Sequence, residues 1–546
     1  MLHKWKFQDY FIPLDLGGKL VSFEELMALV RAVSRRDLTV SVALGQIFLG
    51  AAHVWFGGSS RQKRELASII KKNGPAAFAL TEESHGSDIL ASEVSATKVL
   101  RGYTLSGQKW LINNGTRAKA LTVFARTRRE GGPRGFSLFL VQKDQLKKGS
   151  YIHIPKIRTL GVRGADISGV RFKNCFVRQN ALISSEGKGL ELTLQTLHVT
   201  RTLCAAFSLG AADTALRIVL DFARGRRLYG ASVFEIPSVR KVLVDAFLDL
   251  LICDCTAIAA IRTLHVSPDQ SSIASAVVKY FVPTAAERMI SSLSIVLGAR
   301  YYLREGHWGG MFQKVVRDNA LISLFDGSTN VNLNALALQM PQLLSNGELR
   351  HRICSPEIKF RLEQICNLSQ ALQKFDSSRL AVSSMGADDV TQGLHLLLPA
   401  RGSLHRQRDA MTGNEEVVRL ISLLVEQWKR RAAAIKKVEM KYVGGAALPV
   451  EVYDLAKSYC NLYAASTCVH MWIYNRGVGG FFGDGKWLVL ALRRLLQHLQ
   501  LDIAPVRFSQ ESYYMDNVSS EMLRLWEADK MFSIIPFQLA EGNLST

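Results

Sequence analysis

The sequence predicts a mainly α chain with a central antiparallel β-domain, and three observations carry that prediction. Residues 1–75 place apolar side chains at helical spacing, residues 76–180 switch to short β-rich runs cut by turns, and from residue 181 the helical period returns. Helices and strands in separate blocks imply separate layers rather than alternating βαβ units. No GxGxxG follows a strand, so a Rossmann nucleotide site is not supported.

Each block has its own signal. "FEELMALVRAVSRRD" sets Leu26, Leu29, Val30 and Val33 on one face, and "VSVALGQIFLGAAHVWF" reads as a nearly all-apolar, buried helix. Between Pro75 and Val177, "EVSATKVL", "YTLSGQKWLIN", "ALTVFART", "FSLFLVQK" and "GVRFKNCFV" are punctuated by "RGY", "EGGPRG" and "KKGS". From Gly187, "LTLQTLHVTRTLCAAFSLGAADTALRIVLDFARGRRL" predicts one long helix stopped before Tyr229-Gly230, with two more helices completing a bundle to residue 345. Residues 346–546 predict a further helical region. In it, "SSRLAVSSMGADDVTQG" and "PARGSLHRQRDAMTGNEE" read as mobile connectors, and "KWLVLALRRLLQHLQ" as an amphipathic helix packed into a core.

Composition bounds the function. A chain of 546 residues at 48% hydrophobic content can bury several cores. No apolar run is read as reaching the roughly 18 residues that cross a bilayer. The start "MLHKWKFQDYF" has no signal-peptide core. Eight scattered cysteines without a CxxC predict reduced, structural thiols, a cytoplasmic location and no metal. The net charge of +21 is concentrated: residues 1–345 hold 44 Lys+Arg against 26 Asp+Glu, and residues 346–546 hold 24 against 21. A basic first part attracts polyanions, whether nucleic acid, a phosphate-rich cofactor or an acidic carrier; a solubilising surface with no dedicated partner is the plain alternative.

Four ordered segments resemble the acyl-CoA dehydrogenase family: "FALTEESHGSD" (78–88), "YTLSGQKWLINNG" (103–115), "RGRRLYGASVFEIPSV" (224–239) and "VVRDNALISLFDGSTN" (315–330). The likeness spans residues 13–340 and implies that family's order of helical N-terminal, β middle and four-helix-bundle C-terminal domains, with 346–546 as an added helical region. It implies FAD as cofactor. The first segment resembles the family's TEPGAGSD turn, which assigns the flavin's pyrimidine edge to Phe78, Leu80 and Thr81, and places Ser87 near both flavin and thioester. The second stands where the family has WIT, so Leu111 and Asn113 would lie by the ring and N5. Leu111 replaces the usual Trp, and strand alternation argues that Trp110 cannot take its place. The third resembles RxxFG, with Arg226 toward the diphosphate and Tyr229 toward the adenosine. The family's Gln there is Pro237, and of its glycine-rich stretch only Gly298 is kept, beside Ala299 and Arg300. Thr200-Arg201 matches the position reaching the acyl carrier's pantetheine.

The fourth segment resembles YEGT, whose Glu removes the α-proton of the acyl group. Here Phe325-Asp326-Gly327-Ser328 stands in its place, an acid shorter by one bond of about 1.5 Å. A turn-forming aspartate is the plain reading; the resemblance makes Asp326 the base, its backbone N–H and Gly327 the neighbours of the thioester, and Ser328 and Asn330 flavin contacts. The implied activity is FAD-dependent formation of an α,β double bond in an acyl thioester, on acyl-CoA or an acyl carrier protein, as in lipid metabolism. An electron-transfer flavoprotein is the implied acceptor, and a homodimer is expected over a tetramer. A flavin oxidase or monooxygenase on the same fold, and a non-catalytic nucleic-acid-associated relative, are the alternatives. The near-neutral extension argues against nucleic acid.

Overall fold

The computed structural model describes residues 2–130, 132–344, 355–397, 415–441, 448–499 and 508–539. The chain forms two compact units, one of residues 1–203 with 376–382, the other of residues 204–375 with 383–546.

The first unit opens with α1 (Phe23–Arg36), α2 (Leu38–Gly57) and α3 (Ser60–Lys71), each begun by a side-chain cap from Ser22, Asp37 and Ser59. An eight-stranded sheet follows. Its strands are β1 (Ala76–Ala79), β2 (Ser95–Val99), β3 (Gly102–Asn113), β4 (Ala120–Arg126), β5 (Phe136–Gln142), β6 (Tyr151–Ile154), β7 (Ile167–Arg178) and β8 (Leu182–Ile183). They run β6-β7-β3-β2-β4-β5-β8, with β1 on β4. Tyr103, Leu105, Leu121, Val123, Phe139, Val170 and Phe172 share one core. The sheet is not wholly antiparallel as predicted: β1 pairs with β4 in parallel, and β2 meets β4 in parallel at Ser95–Arg126.

The long helix expected from Gly187 is two helices. α4 (Gly189–Leu203) ends the first unit's main segment, and after a break at Cys204 α5 (Ala205–Gly225) begins the second. Within the first unit, residues 376–382 return to lie on α4, where Gln195 Nε2 donates to the Leu380 carbonyl at 2.8 Å.

The second unit continues with a hairpin of β9 (Arg227–Leu228) and β10 (Ala231–Ser232), then α6 (Pro237–Val266), α7 (Ser271–Leu297), α8 (Met311–Asn319) and α9 (Thr329–Ala337). Its further helices include Ser355–Cys366, Val450–Asn475, Lys486–His498 and Phe508–Glu527. Trp487, Leu488, Leu492, Leu495 and Leu496 are buried, as the amphipathic pattern predicts. Charged side chains stitch these helices to the bundle: Arg494 makes a fork to Asp249 at 2.5 and 2.7 Å, and the buried Arg262 donates to the carbonyls of Gln364, Ile365, Asn367 and Gln370. The stretch 377–393, expected as a mobile connector, instead holds a short helix at Asp389–Gln392 whose Asp388 and Asp389 are buried. Most of the second expected connector lies outside the described residues.

Two stretches, Leu38–Gly57 and Gly189–Gly225, are after all long and apolar enough to cross a membrane by composition. In each, the apolar 18-residue window is mostly buried (72% and 94%), so core packing accounts for the apolarity.

Candidate active site

In the first unit the loop after β1 is sewn to β3. The Trp110 N–H donates to the Thr81 carbonyl at 2.9 Å, and Lys109 Nζ donates to the Leu80 carbonyl at 2.7 Å. Lys109 is fully buried and also bonds Glu82 Oε1 at 2.7 Å and Ser92 Oγ at 3.0 Å. Burial pushes the Lys109 ammonium down to about 8 against the pull of Glu82. Burial works the other way on Glu82, but the charge and bond of Lys109 outweigh it and hold that carboxyl below its usual range. Glu82, His85 and Glu93 place ligand-type atoms within 4.8 Å of one another. Both Glu82 oxygens are already taken, by Lys109, Ser92 and the N–H groups of Glu93 and Val94, so this cluster is a structural clasp.

Between Lys109 and Ile112 the pairing of β3 with β7 slips, Lys109 facing Val170 and Ile112 facing Ser168. The extra residue makes a β-bulge in which Leu111 takes φ +54° and is 38% exposed. The alternation used to separate Trp110 from Leu111 therefore does not hold at this point. Two places on, Asn113 keeps its backbone in the β3–β7 ladder, while its side-chain Oδ1 is buried without a hydrogen-bond partner among the described residues. Phe78 is buried against His53, ring centroids 4.0 Å apart, and burial pushes that imidazole down to about 3. Ser87 lies exposed further along the loop. Thr200 and Arg201 are buried near the end of α4, one turn from His198, which burial and then the Arg201 charge push down to about 3.

In the second unit Asp326 occupies the turn between α8 and α9. Its φ is +53° and that of Gly327 is +88°. Left-handed backbone costs a residue other than glycine about 1–2 kcal/mol, least for Asn and Asp. The Cys204 thiol donates to Asp326 Oδ2 at 3.5 Å, and Phe325 lies 6.1 Å from Phe207, centroid to centroid. Ser328 is spent partly on architecture: its Oγ caps α9 by accepting from the Val331 N–H. Asn330 is exposed on the first turn of α9.

The end of α5 gathers the basic residues. Arg226 is exposed, and its N–H caps the helix at Phe222, over whose ring the Arg300 guanidinium sits at 5.5 Å. Tyr229 is 98% exposed at the hairpin tip, with φ positive there and at Gly230, as a two-residue hairpin turn requires. Pro237 opens α6, where its missing N–H costs nothing. Gly298 follows α7 at φ +58° with open space around it.

Four residues at these places were not singled out from the sequence. Cys204 was read only as a structural thiol, and Glu82 and Lys109 sit unremarked inside recognised segments. Lys279, fully buried in α7, donates to the carbonyls of Ile322 and Gly327 that flank Asp326. A lone lysine in "ASAVVKYFVP" was the available signal.

Comparison with known proteins bears on these places. Residues 77–175 match the acyl-CoA dehydrogenase middle domain and residues 187–340 the acyl-CoA dehydrogenase C-terminal domain. The chain is 30% identical over 257 residues to isovaleryl-CoA dehydrogenase of Arabidopsis thaliana, covering 44% of this chain and 61% of that protein. A probable acyl-CoA dehydrogenase of Mycobacterium tuberculosis is 26% identical over 327 residues, 60% of this chain and 82% of its own length. Among solved structures, an acyl-CoA dehydrogenase complexed with FAD from Bacillus anthracis superposes with a TM-score of 0.71 at 15% identity, covering 96% of this chain and 88% of its own. That coverage takes in most of residues 346–546. Residues 77–175 and 187–340 thus carry the middle and C-terminal domains of acyl-CoA dehydrogenases, FAD-dependent oxidoreductases acting on CH–CH groups.

The residues present fit a flavin. The buried Asn113 amide oxygen has no hydrogen-bond partner among the described residues, so this amide is available to a polar ring edge. Arg226 and Arg300, both exposed at one end of α5, suit a diphosphate.

Proposed function

We propose that the chain is a flavin-dependent dehydrogenase that forms an α,β double bond in an acyl thioester, with Asp326 as the base. When bound, FAD supplies the acceptor for the hydride that leaves the β-carbon. The carboxylate of Asp326 takes the α-proton, and its backbone N–H donates to the thioester carbonyl, drawing charge toward oxygen as the proton departs. In the first unit Thr81 and Asn113 would face a flavin's polar edge and Arg201 the carrier's pantetheine; in the second, Arg226 and Arg300 would suit a diphosphate. The observation that carries this reading is Asp326 itself: a carboxylate on a left-handed turn, half-buried beside a thiol donor, within the matched C-terminal domain.

Coenzyme A or a carrier protein fits the same chemistry. A structural neighbour at 20% identity and TM-score 0.57, covering 62% of this chain and 88% of its own, is a prolyl acyl carrier protein oxidase. Oxidase activity is the second reading, favoured by the exposed Leu111 where the family has an aromatic residue. An electron-transfer flavoprotein is the partner under the first reading.

The test is spectroscopic. Purified protein is expected to be yellow, or to become so with FAD. Anaerobic butyryl-, isovaleryl-, octanoyl- or palmitoyl-CoA, or their carrier-protein thioesters, should bleach it. Asp326→Asn should slow bleaching about a thousandfold. Rapid peroxide release in air would favour the oxidase, and a protein that never takes up flavin would end both readings.

A further inference from the structure

Lys279 stands in α7 among Val277, Val278, Phe281 and Val282, all buried, and is itself fully buried. Its Nζ donates to the Ile322 carbonyl at 2.6 Å and the Gly327 carbonyl at 3.1 Å, and lies 5.4 Å from the centroid of the Phe325 ring. Those two carbonyls bracket Asp326, one at the start of the turn and one just after the acid. A second buried side chain converges on the same place: Asn332 Nδ2 donates to the Gly327 carbonyl at 2.9 Å and to the Ser328 carbonyl at 2.8 Å.

The backbone here is one that a chain leaves unless held, since Asp326 and Gly327 are both left-handed in sequence. Rotation of either residue would turn the Gly327 carbonyl away from both donors and swing the Asp326 carboxylate and N–H with it. An ammonium is suited to such a clamp, because it is compact and presents three donors that reach separate acceptors. Burying its charge is costly, and a chain that needed only packing at this position would carry a hydrophobic residue.

We propose that Lys279 is a positioning residue for the reaction: with Asn332 it locks the 322–328 turn so that the Asp326 carboxylate and N–H hold their working orientation. This rests on the reading of Asp326 as the base. Misplacement on the order of 1 Å costs about a hundredfold in rate, so the clamp should appear in kcat and not in substrate binding.

The experiment compares Lys279→Met, which keeps the length of the side chain and removes the donors, with Lys279→Arg and Asp326→Asn. The probe is whichever of the four acyl-CoA thioesters reduces the wild type fastest. Lys279→Met is expected to keep its flavin, to lose about ten- to a hundredfold in kcat with KM within about threefold, and to recover part of the loss as Lys279→Arg. In the flavin-free protein, hydrogen exchange of amides 320–328 should accelerate while α6 and α7 stay protected. If Lys279→Met fails to fold, Asn332→Leu carries the same expectations. Unchanged kcat with a protected turn, or a loss matched by lost flavin and by exchange spread through the bundle, would overturn the proposal. If Asp326→Asn reduces as fast as wild type, the base assignment fails, while the exchange arm still reports separately on the clamp.

Discussion

Each unit places a left-handed residue to which the resemblance gives a role near a fully buried lysine, and the two are held differently. In the first, Leu111 sits on a β-bulge whose neighbours stay in the β3–β7 ladder, and Lys109 anchors the adjoining loop while bonded to the Glu82 carboxylate. In the second, Asp326 sits between two helices, where no ladder runs, and side chains hold the turn: Lys279, Asn332 and the Ser328 cap. A bulge is secured by many backbone bonds. The Asp326 turn has one backbone bond across it, from the Thr329 N–H to the Ser323 carbonyl at 2.9 Å, so it leans more heavily on these three side chains. The structure thus assigns stability to the first lysine and geometry to the second.

Breaking the first anchor should give the largest effect. Lys109→Met leaves the Glu82 charge buried beside Ser92, and loss of one partner of such a pair costs about 3–5 kcal/mol, measurable as a lowered denaturation midpoint. If the variant were as stable as wild type yet inactive, the contrast between the units would be lost.

The second effect concerns the helices after residue 345. Burial raises the Asp388 carboxyl to about 6, against its bond from the Tyr459 hydroxyl. A carboxyl raised in the folded state favours folding while protonated. Its contribution is therefore full below about pH 4 and is lost as pH rises through 6. Asp388→Asn has no proton to lose. Its stability relative to wild type should improve by about 3 kcal/mol between pH 4 and pH 8, followed by urea unfolding. A constant difference across that range would contradict the buried, proton-binding Asp388.

The smallest effect sharpens the description of the second turn. Aspartate tolerates left-handed backbone better than glutamate, so Asp326→Glu, though it restores the family's longer acid, should lower kcat about tenfold. A rise in kcat would mean that the shorter reach limits the wild type and that backbone fit does not.

What was legible in the sequence follows the same division. The segments around Thr81 and Arg226 were readable as family-like because they keep residue types at fitting spacing, whereas Asn113 and Asp326 were placed by position alone, standing where the family has Thr and Glu. The order of helical and β-rich blocks was readable from periodicity. The bulge at Leu111 was not, because an ordinary leucine gives no mark of a positive φ, and strict alternation was the only rule available there. The break at Cys204 escaped notice because both flanking segments keep good helix formers and apolar spacing. The return of residues 376–382 to α4 is a long-range contact, and a segment with the polar composition of "DSSRL" carries no local sign of where it docks. Lys279 did leave a sign, a single charge in a buried helix, but sequence cannot say which carbonyls such a charge will reach.

The most direct measurement is α-carbon exchange. Incubated anaerobically in D₂O with an acyl-CoA that reduces it, the flavin-loaded protein should introduce deuterium beside the thioester carbonyl, detected by mass spectrometry, and Asp326→Asn should not. Deuterium appearing equally with both proteins would show that some other group takes the proton, and the central assignment would fall.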